Sequence, residues 1–431
     1  MIALEPRSRS SRPSDPSDRR LPPPIRVRRL LAPFLGATLS AMLSTDPARA
    51  QSIRADLAYP NRQVSAAVVS GSTLYIGGSF DHVGFTTGNA VPIDAATGQV
   101  QPFPIVDGEV RAVAPDGAGG WYIGGSFQTV GGLPRNRIAR ILADNTVSGW
   151  NPNTNDGVFD IYAITVSGSI VYVGGEITNI GGQARNNIAA LEAATGNATV
   201  WNPSANGRVS TLVVNGTLVY AGGSFTSIGS QPRNQIAALD AATGLATGWN
   251  PNVATSLNTS VNAILVSGST IYAGGRFTDV GGQARSNLAA LDASSGIPTS
   301  WNPGADAVIQ TLAVSGTTIY AGGGFKNIGG QPRNGIAALD AATGMATSWN
   351  PNATYSPSAS AAVYALVVSG STVYAGGFFL SIGGQARDNL AALNIVSGNA
   401  TAWNPTAEQN VLALAVNGST VFAGGLQDDG Q

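Results

Sequence analysis

An aromatic residue, any residue and two glycines recur eight times in this chain, at Tyr75, Tyr122, Tyr172, Tyr220, Tyr272, Tyr320, Tyr374 and Phe422. The steps between them are 47, 50, 48, 52, 48, 54 and 48 residues. A repeat of this length is one supersecondary unit that buries its apolar faces against copies of itself. Within a unit the apolar runs are four to six residues long and end at glycine, which excludes helices and leaves short strands. In "VIQTLAVSGTTIYAGG", runs 309–314 and 317–321 flank the hairpin turn Ser315-Gly316. The connection "GFKNIGGQPRNG" follows, then "IAALD", the turn "AATG" and "MATSWN", which form a second hairpin. Four-strand units in series predict an all-β fold, a β-propeller with one blade per repeat.

The blade number follows from a second rhythm. Distances from each Trp (or Phe103) to the next Tyr or Phe run 19, 22, 19, 23, 19, 25 and 19 residues. The residue before a repeated arginine alternates in step: Pro134, Ala184, Pro232, Ala284, Pro332, Ala386. Two features sharing one rhythm point to duplication of blade pairs, and so to an even number. There are eight first hairpins and seven complete second hairpins, and "DLAYPN" (56–61) resembles the strand that closes a blade. The expectation is eight four-stranded blades in four pairs, with 56–61 joining 411–425 and the last blade left incomplete. Seven blades and a stray hairpin is the alternative.

The first fifty residues are set apart. An Arg/Ser/Pro-rich stretch precedes Arg26, Arg28 and Arg29, a 14-residue apolar run (30–43) and Ala48-Arg49-Ala50. A basic region, a short apolar core and a small-x-small site make a secretory signal peptide, too short for a comfortable membrane span. The pair Arg28-Arg29 leaves the twin-arginine route open beside the general one. The expected domains are therefore a disordered leader with signal peptide at 1–50 and a single propeller at 51–431. Cleavage removes nine of the 23 basic and four of the 24 acidic residues, leaving 14 and 20, a net charge of −6. That is no nucleic-acid footprint. The expected product is exported from a bacterium, extracellular, periplasmic or on the cell surface, with no stable membrane span, and monomeric.

The stretch "WYIGGSFQTVGGLPRNRIARILADNTVSGWNPN" (121–153) resembles the delta-60 repeat, a propeller unit of uncharacterised function in exported bacterial proteins. The resemblance covers about residues 64–425 in seven full copies, with a looser similarity to kelch repeats. It implies a secreted or surface-displayed propeller and no particular reaction. The first unit departs from the pattern, with Thr87 in place of Arg and Phe103 in place of Trp.

Composition narrows the chemistry. No cysteine and the single histidine His82 exclude thiolate and multi-histidine metal sites and leave little general-base chemistry. No Ser–His–Asp set, calcium loop or paired-carboxylate motif stands out, so no catalytic, metal or cofactor residue is assigned. The glycine pairs lack the Gly-Lys-Ser/Thr and helix of a phosphate loop and read as close backbone approach. Trp150, Trp201, Trp249, Trp301, Trp349 and Trp403, each followed by Asn-Pro, read as packing anchors, with carbohydrate stacking as the other option.

The candidate ligand face is a ring of guanidiniums on Arg135, Arg185, Arg233, Arg285, Arg333 and Arg387. Against that stands a bracing role, each arginine holding carbonyls of its own connection. Three long, unrepeated links (151–160, 250–261 and 350–363) fall on the face that carries the arginine connections. The reading is a non-enzymatic scaffold that binds a protein or glycan through its loop-rich face and uses no cofactor. A carbohydrate-active lyase or hydrolase at the channel mouth is the alternative.

Overall fold

The computed structural model describes the backbone of residues 59–60, 64–70, 73–78 and 83–84, and residues 88–154, 160–254, 258–356 and 361–425. The predicted signal segment, His82, Thr87 and the middles of the three long links lie outside the described residues. The chain forms two compact units, Met1–Thr86 and Thr87–Gln431. Every regular element among the described residues is a strand, and no helix there could cross a membrane.

In the second unit the chain is a β-propeller. Blade 1 is Val110–Pro115, Trp121–Gly125 and Ile138–Ile141. Blade 2 is Ile161–Ser167, Ile170–Gly175 and Ile188–Glu192. Blade 3 is Val209–Asn215, Leu218–Gly223 and Ile236–Asp240. Blade 4 is Ser260–Ser267, Thr270–Arg276 and Leu288–Asp292. Blade 5 is Ile309–Ser315, Thr318–Gly323 and Ile336–Asp340. Blade 6 is Ala362–Ser369, Thr372–Phe378 and Leu390–Asn394. A fourth strand is reduced to one bridge per blade, as at Leu339–Ala346.

The seventh blade corrects the expected count. Its hairpin, Val411–Asn417 and Thr420–Gly425, takes its third strand from Ala90–Asp94, with Val91 opposite Ala423 and Ile93 opposite Val421. Of the segment 56–61 only Tyr59–Pro60 is described, and it pairs with Val83–Gly84 in the first unit, while Ala90–Asp94 holds the edge of the seventh blade. The innermost strands touch in cyclic order, and that of blade 7 meets that of blade 1. Among the described residues the ring closes with seven blades, none short of a third strand. The eighth hairpin, Val64–Ser70 with Thr73–Gly78, is a separate two-stranded sheet in the first unit.

An odd ring must break the two-blade rhythm once. It breaks at the seam, where the short links into blade 7 and into blade 1 are adjacent. Phe103, which stands in place of Trp, and Phe422, which stands in place of Tyr, meet there edge to face with centroids 5.1 Å apart. In every other blade a Tyr–Trp pair occupies that place at 5.0–5.2 Å.

In the seven blades both glycines of the aromatic-x-Gly-Gly tetrad are required by close approach. A Cβ on Gly274 would lie 2.5 Å from Cγ2 of Ile309 in the next blade, and one on Gly424 would lie 2.6 Å from Cγ1 of Val110 across the seam. The second glycine backs onto its own inner strand, so that a Cβ on Gly275 would run into the carbonyl oxygen of Ser260. Seven apolar clusters fill the seven interfaces; one joins Tyr122, Ile138 and Trp150 of blade 1 to Ile161, Val171 and Leu191 of blade 2. The tryptophans tie the same interfaces through donation by the indole Nε1, from Trp150 to the Glu192 carbonyl at 3.1 Å and from Trp403 to the Asp94 carbonyl at 2.9 Å.

Candidate functional site: the axial mouth

The six predicted arginines sit in one repeated setting. Arg185 donates from one terminal nitrogen to the Ala184 carbonyl at 2.7 Å and from the other to the Thr199 carbonyl at 2.6 Å. Arg135, Arg233, Arg285, Arg333 and Arg387 do the same with Ser148, Thr247, Thr299, Thr347 and Thr401 at the far end. Each guanidinium thus clips the small hairpin of the connection (Asn179–Ile180 with Gln183–Ala184 in blade 2) to the edge strand of its own blade. Burial pushes the guanidiniums of Arg135, Arg185 and Arg233 below their usual range.

Arg185→Met is expected to leave two carbonyls without donors and to cost about 2 kcal/mol in chemical denaturation. Arg185→Lys should recover little of that, because an ammonium cannot fork between two acceptors.

The acids that end the third strands have a task of their own. Asp240 Oδ1 accepts the Thr243 amide at 2.7 Å and the Thr243 hydroxyl at 2.8 Å, capping the outer turn. In blade 6 Asn394 caps the same turn, accepting from Val396 and Ser397 at 3.0 and 2.9 Å. The hydroxyls of Ser294 and Ser295, followed by backbone amides, hold Asp292 down to about 2. A carboxyl lowered on folding contributes stability above its unfolded value near 4 and loses it as the pH falls through the folded one. Asp292→Asn should therefore unfold with a shallower acid dependence between about pH 4 and pH 2, and be less stable than the parent at neutral pH, where the contribution of the carboxylate is lost.

The two-blade rhythm has a local cause. In blades 2, 4 and 6, Asn187, Asn287 and Asn389 adopt positive φ and donate to the carbonyls of Ala205, Ala305 and Ala407 in the following link. In blades 1, 3 and 5 the link is longer, and Asn136, Asn234 and Asn334 donate instead to the side chains of Asn153, Asn252 and Asn352 at 2.6–2.7 Å. Links and small hairpins run at one end of the ring, bridged at Val253–Val280, Ala305–Ile328 and Thr354–Ser381. The innermost strands begin at that end.

Each innermost strand also carries a β-bulge in its first turn. The register with the middle strand slips between Val110 and Ala112, Ile161 and Ala163, Val209 and Thr211, Val261 and Ala263, Ile309 and Thr311, Val363 and Ala365, and Val411 and Ala413. The skipped residues are Arg111, Tyr162, Ser210, Asn262, Gln310, Tyr364 and Leu412, all half-buried. The residue just before each of them is a fully packed Val or Ile, and the residue skipped is different in almost every blade. A bulge re-aims its side chain, and between the ends of an innermost strand the accessible solvent is the axial channel. These seven positions therefore form one tier around the loop-rich mouth.

Chemistry is distributed unevenly around the tier. On the arc of blades 1–3, the Arg111 guanidinium contacts the Glu109 carboxylate and lies 3.1 Å from Asp160 Oδ2. Tyr162 donates to the same Asp160 oxygen at 3.4 Å. Its ring is approached from both neighbouring blades, by Arg111 at 5.3 Å and Arg208 at 4.9 Å from the centroid. Burial, then the charge of Asp160, raises the Tyr162 hydroxyl above its usual value. Arg208 Nε also donates to Ser210 Oγ at 3.1 Å.

On blades 4 and 5, Asn262 Nδ2 donates to Gln310 Oε1 at 3.1 Å. On blade 6, Tyr364 belongs to the tier, while Tyr355 and Phe378 stack at 3.9 Å with their planes 25° apart. Among the described residues no three acid or histidine side chains group to hold a metal.

In the sequence the repeated arginines and the long links stand out as candidates for chemistry, and this tier does not. A signal was present: with the units superposed, the residue after the first Val or Ile of the inner strand is where size, charge and polarity change most from copy to copy.

Residues 106–320 match the profile of a family described as outer membrane protein assembly factor BamB. The chain is also similar to solved structures. One is the computationally designed Ika8 protein, at 14% identity, covering 74% of this chain and 95% of that chain with a TM-score of 0.46. Another belongs to a mitotic checkpoint complex, at 16% identity, covering 85% of this chain and 100% of that chain with a TM-score of 0.49. No curated protein sequence matches.

Proposed function

We propose that this chain is an exported, non-enzymatic propeller that binds a protein or glycan partner at the loop-rich end of its axis. One observation carries the reading. The frame repeats its glycines, arginines and tryptophans blade after blade, whereas the bulge tier replaces its residue at nearly every step. A fold does not dictate a function, so a function must rest on residues the fold does not need. The delta-60 resemblance, the predicted signal segment and the profile of an outer-membrane assembly factor support the export route and the scaffold role.

A carbohydrate-active enzyme is the second reading, favoured by Glu109 and Asp160 on one arc. Hydrolysis needs one carboxyl poised to give a proton and one to act as base or nucleophile. Here both carboxylates share the Arg111 guanidinium, an arrangement of charge balance.

The test is capture of glycans and of envelope proteins by the full chain, repeated with Arg111→Ala and Tyr364→Ala. Binding lost in both variants supports the mouth as the site. Binding indifferent to both places the function elsewhere, and turnover of a polysaccharide that Asp160→Asn abolishes would make the chain an enzyme.

A further inference from the structure

We infer that the axial mouth receives an uncharged oligosaccharide end, an inference that rests on the mouth being the binding site. The side chains of the tier limit the ligand class. An anionic ligand needs a guanidinium with donors to give. Arg111 is instead held between Glu109 and Asp160, and Arg208 lies over the Tyr162 ring with its Nε on Ser210 Oγ. A cationic ligand needs free carboxylates, and Glu109 and Asp160 both lie on Arg111. The arc thus mixes both signs of charge around Tyr162, where the carboxylate of Glu176 acts beside Asp160, Arg111 and Arg208, and it offers hydrogen-bonding groups with no surplus of guanidinium.

The other side supplies what a sugar ring needs. Tyr364 and the stacked Tyr355–Phe378 pair offer flat apolar faces for the C–H side of a pyranose. The planar amides of Asn262 and Gln310, which sit beside that aromatic group in ring order, can each donate and accept toward vicinal hydroxyls. In a ring of seven, the Tyr162–Asp160 arc on blade 2 stands opposite blades 5 and 6. A chain end entering along the axis would meet aromatic faces on one side and hydrogen-bonding groups on the other. Bulges set these residues at one height, so the site is built by the backbone of seven strands and needs no lid.

The experiment is calorimetric titration of the full chain with maltohexaose, cellohexaose and N-acetylated chitohexaose, and with hexagalacturonate as the acidic counterpart. At least one neutral sugar is expected to bind with a Kd of about 0.1–1 mM. Tyr364→Ala and Asn262→Ala should each weaken it about tenfold, the effect of losing one ring face or one pair of hydrogen bonds. Tyr364→Phe, which keeps the face, should bind within about twofold of the parent.

Three results would overturn the inference. One is no neutral sugar bound at about 10 mM. Another is preference for hexagalacturonate. The third is neutral-sugar binding that Tyr364→Ala leaves unchanged. Capture of an envelope protein that depends on Tyr364 and Arg111, with no sugar bound, would remove the saccharide while leaving the mouth as the binding site. Loss of both activities would remove the site itself.

Discussion

Gly274→Ala is expected to destabilise the ring by about 3 kcal/mol, at the upper end of what one added methyl costs in a packed interior. The added carbon would stand 2.5 Å from Ile309 Cγ2 and 3.1 Å from Ile309 Cβ, atoms of a side chain with no exposed surface. That isoleucine fills the interface between blades 4 and 5 and cannot withdraw without leaving a void. Ile309→Ala alone should cost 2–5 kcal/mol for the same reason, as an ordinary large-to-small change.

Together the two substitutions should cost at least about 1 kcal/mol less than their sum, because each removes the cause of the other's penalty. Additive costs in urea denaturation would mean that the glycine serves some purpose other than close approach. Gly275→Ala makes the contrast. Its new carbon meets the Ser260 carbonyl oxygen, which is backbone, so no trimmed side chain rescues it.

The second large effect concerns the seam. A chain beginning at Thr87 keeps all seven blades and should melt cooperatively, close to the full chain. A chain beginning at Pro104 loses five ladder positions with 420–424, the acceptor of the Trp403 indole, and the buried Ile93 and Phe103. Blades 7 and 1 would each face water across an open edge. We expect that chain to be insoluble or to lose its sharp thermal transition, read by near-ultraviolet circular dichroism. A sharp transition in the shorter chain would show that the ring does not depend on closure at this seam.

Much of the architecture was legible because a repeat reports the same local physics many times. The Tyr-x-Gly-Gly tetrad, the Trp after the edge strand and the clipping arginine each gave a position and a cause. The number of blades was not legible, for a physical reason. Hairpins 64–78 and 411–425 share nearly the same strand pattern, down to the same bulge between first and third residues. Which of them takes the strand is a long-range choice, and local pattern cannot rank it. The pair rhythm argued for an even ring and was misleading, since a ring tolerates one break where its ends meet. The better clue was a matched pair of exceptions, Phe103 and Phe422, which belong to opposite ends of the repeat array and pack on each other.

The candidate site was less legible still. Its residues carry no motif and are 50 or so positions apart in sequence. What gathers them is the bulge, a feature of pairing register that shows only when the strands are aligned. The charged arc of Glu109, Arg111, Asp160 and Tyr162 is therefore an outcome of ring order.

Ring order is the claim on which the rest depends. With eight blades, Ser65, the bulge residue of hairpin 64–78, would enter the tier between Leu412 and Arg111 and change what faces what. The direct measurement is disulfide formation in two double-cysteine variants, made in a chain that has no cysteine of its own. Val91→Cys with Ala423→Cys joins directly opposed residues at the seam, at a spacing an antiparallel pair and a disulfide share. Val91→Cys with Ile76→Cys joins the equivalent positions if the strand stays with hairpin 64–78. The seven-bladed ring predicts that mild oxidation links 91 to 423 in nearly every molecule and leaves 76 and 91 as free thiols, as read by peptide mass spectrometry. A bond between 76 and 91, with 423 unlinked, would contradict it.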